Sequence, residues 1–143
     1  MRPRAFVLDY AGSWSMNRAA DWLKQAERDM KAAEDSAATG HHEWAAFQAQ
    51  QCGEKAVKAL VQSLHGGARG HAIVEILRLV PVSASVPTEV IDAARELDRV
   101  YFISRHPNGF PSGSPADYFD EKSSQRYLDD AGKILEFCRS QIH

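Results

Sequence analysis

The sequence predicts an all-α, up-and-down bundle of four long helices plus one short one. Three observations carry that prediction. Apolar residues recur at three- and four-residue steps through four long stretches, glycines and prolines fall between those stretches, and no segment alternates strongly enough in polarity to be a strand. Such helices must bury their apolar stripes against one another, and short connections favour antiparallel neighbours.

The first helix is expected from Met16 to about Ala38. Ala19, Leu23, Ala26, Met30, Ala33 and Ala37 form one stripe, while Lys24, Arg28, Lys31 and Glu34 lie off it. Gly40 supplies the stop. The run from Glu43 to Leu64 is built of good helix formers with apolar residues on more than one side, so it reads as the most buried helix. Ala45, Ala49, Cys52, Ala56 and Ala59 give it a small-residue face that admits a close neighbour, and Trp44, Phe47, Val57, Leu60 and Leu64 add bulk.

Gly66, Gly67 and Gly70 mark a turn into a short helix from about His71 to Leu79, which Pro81 ends. His71 is read as capping or orienting that helix. A fourth helix runs from about Val86 to Ile103, with Val90, Ala93, Ala94, Leu97, Val100 and Tyr101 inward, Pro87 in its first turn and Pro107 as its outer limit. The segment Arg105 to Asp117 holds three prolines and two glycines and is a long loop. The last helix, from about Asp117 to Gln141, carries Leu128, Ala131, Leu135 and Cys138 on one stripe.

At 143 residues the chain is the size of one domain and buries roughly two thirds of its unfolded surface. A formal net charge of −2 excludes a global positive field, so any nucleic-acid site must be local. Cys52 and Cys138 lack CxxC spacing and read as buried free thiols. His41 and His42 lack a third ligand at helical spacing, so no metal site and no cofactor are expected. No apolar run approaches about 18 residues, and the N-terminus lacks the apolar core of a signal peptide. The cytoplasm is therefore the expected compartment. Residues 1–15 are expected to be an arm ahead of a domain at 16–143, with Met1 or Met16 as the start.

Four segments together resemble the HEPN family: AADWLKQAERDMKAAE with Trp22, AQQCGEKAVKAL from Ala49 to Leu60, the pair Gly70 and His71 leading into IVEIL, and LDRVYFISRHPN from Leu97 to Asn108. The resemblance covers nearly everything from Met16 onward. It implies a helical bundle that commonly forms a homodimer, binds RNA or nucleotide, and is often encoded beside a small nucleotidyltransferase as a toxin and antitoxin pair. It also implies, for some members, a metal-independent ribonuclease marked by an Arg, four to six residues and a His. Here Arg99 and His106 stand six residues apart by that count.

The chemistry asks for those residue types. Metal-free RNA cleavage needs a base near neutrality for the 2′-hydroxyl proton, which suits His106, and a cation for the phosphorane oxygens, which suits Arg99 or Arg105. Seven helical positions return a side chain to within about 20° of its starting direction, so the two are expected on one face, although Pro107 disfavours helical backbone at His106. Val100 stands where the nuclease members usually carry a polar residue. The segment Arg105-His106-Pro107-Asn108 is similar to the Arg-Tyr-Pro-Asp segment of another HEPN subfamily, which makes Arg105 an RNA- or nucleotide-binding candidate. Lys55 and Lys58 are further anion-binding candidates, set against pairing with neighbours such as Glu54 on a solvated face. Tyr118 and Phe119 are candidate base-stacking residues.

Overall fold

In the computed structural model the described residues are 6–8, 14–64 and 66–142. Two three-residue strands, β1 (Phe6–Leu8) and β2 (Trp14–Met16), pair antiparallel with Val7 opposite Ser15. This ribbon corrects the expectation of no strand. Three residues are too few for alternation to register in a sequence window, and the pairing is one of backbone groups. The remaining parts of the expected N-terminal arm, 1–5 and 9–13, lie outside the described residues.

Six helices follow: α1 (Ala19–Ala38), α2 (His42–Leu64), α3 (Ile73–Leu77), α4 (Thr88–Ile103), α5 (Pro115–Tyr118) and α6 (Glu121–Gln141). The four long ones are those the periodicity predicts. Helix α2 is the central element, packing against α1, α6, α4 and α3, while α6 also meets α1 and α4. Its small-residue face is fully buried at Ala45, Ala49, Cys52, Ala56 and Ala59. Gly53 belongs to the same approach: a Cβ there would stand 3.1–3.2 Å from Ile73, Leu97 and Ile134, one residue from each of α3, α4 and α6.

The chain leaves α1 through a Schellman motif, in which Gly40 N donates to the Ala37 carbonyl and His41 N to the Ser36 carbonyl. Gly40 takes the left-handed conformation, φ +84°, that this motif requires. Helix α3 is held by a longer-range cap. Asp98 of α4 accepts from the backbone amides of Ile73 and Val74 at 2.7 and 3.1 Å, which ties the start of α3 to α4. Burial raises the Asp98 carboxyl above its ordinary value, although the two amide bonds oppose the rise.

The segment after α4 is an ordered structure. Pro107–Gly109 forms one 3-10 turn, where a Cβ on Gly109 would collide with the Ile103 side chain. Helix α5 begins at a Ser114–Asp117 box, and α6 at an Asp120–Ser123 box. The Ser114–Asp117 box accounts for α5, a single turn that periodicity cannot reveal.

Candidate functional site

Helix α4 ends at Ile103, with Ser104 as its C-cap. Arg105 turns its side chain back over the last turn, donating from Nε and Nη2 to the Tyr101 carbonyl at 3.2 and 2.9 Å. A cation on a free terminal carbonyl complements the helix dipole. The guanidinium also lies over two rings, 4.2 Å from the centre of Phe47 and 4.8 Å from that of Tyr101. Arg105 is thereby anchored on three sides while still half-buried rather than enclosed.

His106 leaves the helix. Its backbone is extended, φ −127° and ψ 125°, as the following Pro107 demands. The expectation that Arg99 and His106 share one helical face therefore does not hold as geometry. The His106 ring instead stacks on Phe102 at 4.5 Å, and Phe102 lies three positions after Arg99 on α4. Arg99, Phe102 and His106 are all exposed. Val100, next to Arg99, is buried in the core.

The facing surface of α2 is aromatic, then polar. Trp44 packs edge-on against Phe47, and Phe47 against Tyr101. Trp44 is 47% exposed and Phe102 48%, so these two large rings are not closed into the core of a single chain. Deeper along α2, Glu54 is 3% exposed and is the hub of a polar network. It accepts from Lys58 Nζ at 3.0 Å and Gln50 Nε2 at 3.3 Å, and His71 Nδ1 lies 3.1 Å away. The His71 ring stacks on Tyr101 at 4.7 Å. Tyr101 is thus shared by His71 and Arg105.

The two lysine candidates sit differently from Arg99. Lys55 Nζ is 2.7 Å from Asp29 Oδ2 of α1. Lys58 pairs with Glu54 at the expected four-residue spacing, but the pair is buried rather than solvated, and its ammonium lies 5.4 Å from the Trp22 ring centre. Both charges are already balanced. Tyr118 is also occupied, stacked on Phe110 at 4.0 Å with its hydroxyl donating to the Ser112 carbonyl, and Phe119 is buried. Together they hold the loop in place.

Sequence reasoning passed over the Glu54–His71 pairing. The reading of His71 as a helix cap is corrected, since Asp98 caps α3 and the His71 side chain turns to α2 and α4 instead. Seventeen residues separate Glu54 from His71, and only packing joins them. Among the described residues no group of acidic, His or Cys side chains is arranged to hold a metal. His42 Nδ1 meets Ser124 Oγ at 2.8 Å and His41 Nδ1 meets Thr39 Oγ1 at 3.1 Å. Burial pushes both the Cys52 and Cys138 thiols up to about 12, which leaves them unreactive. No described helix is long and apolar enough to cross a membrane.

A helical bundle that gathers exposed cations and rings at the end of one long helix is the class of protein this fold and face define. The chain belongs to the HEPN domain family, whose profile matches residues 19–141. Solved structures similar to it include the following three. TT1696 from Thermus thermophilus is 37% identical with a TM-score of 0.86, the match covering 89% of this chain and 100% of that one. ST0689, an archaeal HEPN homologue, is also 37% identical, with a TM-score of 0.76 over 90% of this chain and 100% of its own. A HEPN domain protein from Thermotoga maritima is 31% identical, with a TM-score of 0.68 over 84% and 95% of the two chains. No curated protein matches the chain.

Proposed function

We propose that this protein binds single-stranded RNA, or a nucleotide, on the face built by Arg99, Phe102, Arg105 and His106, and cleaves RNA there without a metal ion. The observation that carries the reading is the combination of rings and cations at the end of α4. Exposed aromatic rings offer stacking surfaces to unpaired bases, and Arg99 and Arg105 offer charge to the phosphates beside them. The local concentration of cations reconciles an anionic ligand with a chain whose net charge is −2.

Arg99 takes the part of phosphate clamp, Arg105 that of a fixed cation, and His106 that of a proton carrier. Lys55 and Lys58, paired with Asp29 and Glu54, leave the phosphate to the two arginines. The working unit is the helical domain from residue 16 onward, preceded by the 1–15 arm, and two copies meeting at this face as a homodimer double its positive charge. Such a protein fits a toxin and antitoxin or stress module of the cytoplasm, with a small nucleotidyltransferase as partner.

The test is purified protein with RNA in EDTA beside Arg99→Ala, Arg105→Ala and His106→Ala. Cleavage by the wild type and its loss in Arg99→Ala and His106→Ala support the reading; cleavage that both variants retain removes that pair. The second reading, a non-catalytic module that pairs with the nucleotidyltransferase, is favoured by the departure of His106 from the α4 helix. Binding of RNA or nucleotide without any cleavage selects it.

A further inference from the structure

The histidine that the fold equips best for proton transfer is His71, which lies outside the Arg99–His106 spacing. A general base needs a fixed ring, a defined tautomer and an open nitrogen. His71 has all three. Gln50 donates to its carbonyl at 2.9 Å, Asp98 holds the amides of Ile73 and Val74 just beyond it, and its ring lies 16° from parallel on Tyr101. Nδ1 faces the buried Glu54 carboxylate, which selects the tautomer with hydrogen on Nδ1 and leaves the lone pair on Nε2. The side chain is 57% exposed, and among the described residues nothing engages Nε2.

Glu54 is itself fixed. Lys58 holds Oε2 and Gln50 reaches Oε1, so the carboxylate cannot swing away from the imidazole. It also stabilises the imidazolium that forms when Nε2 accepts a proton. His106 has no such support: it stacks on Phe102, and among the described residues no carboxylate engages it. The charged and titratable groups packed with this segment are Glu54 of α2, itself paired with Lys58, and Tyr101 and Asp98 of α4.

Resting on the RNA reading above, we propose that His71 is the general base of this face and Glu54 its positioning residue. Nε2 of His71 takes the 2′-hydroxyl proton as that oxygen forms its bond to the adjacent phosphorus. The bond from phosphorus to the 5′ oxygen breaks, and His106 in its imidazolium form gives that oxygen a proton. The products are a 2′,3′-cyclic phosphate and a 5′-hydroxyl, and the two histidines exchange protons with water to reset. Arg105, whose guanidinium packs on the same tyrosine as the His71 ring, is assigned the phosphate.

The experiment uses the full chain in EDTA with a single-stranded RNA oligonucleotide, comparing wild type, His71→Asn and Glu54→Gln across pH. Asn can still donate to Glu54 but offers no basic nitrogen, so the fold is retained. His71→Asn is expected to lower cleavage about 10²- to 10⁴-fold and to abolish the acid limb of the pH–rate profile. Glu54→Gln lowers cleavage and, in nitrogen-detected NMR, loses the single Nδ1–H tautomer of His71. A 2′-O-methyl oligonucleotide, which binds but cannot be cut, is expected to move the His71 Nε2 resonance.

Cleavage by His71→Asn at the wild-type rate overturns the proposal. So does an oligonucleotide that shifts Arg99 and Arg105 signals but leaves His71 in place, and in that case RNA binding itself stands. Wild-type protein that binds the oligonucleotide and never cuts RNA overturns the acid–base role alone. An oligonucleotide that moves no resonance removes the RNA reading and this role together.

Discussion

The Arg105 guanidinium lies 4.2 Å from the centre of the Phe47 ring, so the last turn of α4 is pinned to α2 by a cation that also closes its own helix. A planar fork can stack and donate twice at once; a lysine ammonium cannot. Arg105→Lys is therefore expected to lower stability by about 1 kcal/mol in urea unfolding and to weaken RNA binding despite an unchanged charge. Equal stability of the two proteins would show that the stack contributes nothing.

Arg99 and Lys55 separate ligand binding from folding. Arg99 is exposed, whereas Lys55 is held 2.7 Å from Asp29 across the α1–α2 interface. Arg99→Ala is expected to change stability by less than about 0.5 kcal/mol and to reduce the salt dependence of RNA binding by about one phosphate contact. Lys55→Ala is expected to do the reverse, lowering the melting temperature by a few degrees with little effect on RNA affinity. Anisotropy titrations at several salt concentrations, beside thermal melts, distinguish the two.

Gly53 marks the tightest approach in the core. A methyl group there meets Ile73, Leu97 and Ile134 at 3.1–3.2 Å, three side chains that are themselves fully buried. Gly53→Ala gains helix propensity but forces those chains apart, and a net loss of roughly 1–2 kcal/mol is expected. A melting temperature at or above that of the wild type would contradict so close a packing.

Asp130 of α6 gives the fold a pH dependence. Burial first, then a hydrogen bond to Glu96 and the charge of that neighbour, raise its carboxyl from 3.8 to about 7. Its Oδ2 is buried without a hydrogen-bond partner. The folded state therefore favours the protonated acid. Its contribution to stability is complete below about pH 4 and is lost as pH rises through about 7. Asp130→Asn, which mimics the protonated group, is expected to flatten that part of the stability profile and to be the more stable protein at pH 8. Parallel profiles for the two proteins would refute this role.

The bundle is legible in the sequence because its stripes extend over many turns. Ala26, Ala33, Ala49, Leu97, Ala131 and Cys138 are predicted inward and are buried. What escapes is either short or long-range. The pairing of Phe6–Leu8 with Trp14–Met16 and the single turn Pro115–Tyr118 are shorter than any periodicity can define. Pro107 announces the end of α4 and the extended His106, but not the stack on Phe102 that returns the ring to the helix. Lys58–Glu54 can be read from a four-residue spacing; Lys55–Asp29 and His71–Glu54 cannot, because each joins residues that only packing brings together. Trp44 and Phe102 follow apolar patterns yet stay half exposed. Their exposure belongs to the face and not to the core.

RNA binding by the end of α4 and the adjoining rings of α2 is the claim on which the rest depends. Fluorescence anisotropy of a labelled single-stranded RNA, titrated in EDTA with wild type and with the Arg99→Ala/Arg105→Ala double variant, tests it most directly. Saturable binding by the wild type and at least a tenfold weaker affinity for the double variant are expected. Equal binding by the two proteins, or none by the wild type, contradicts it.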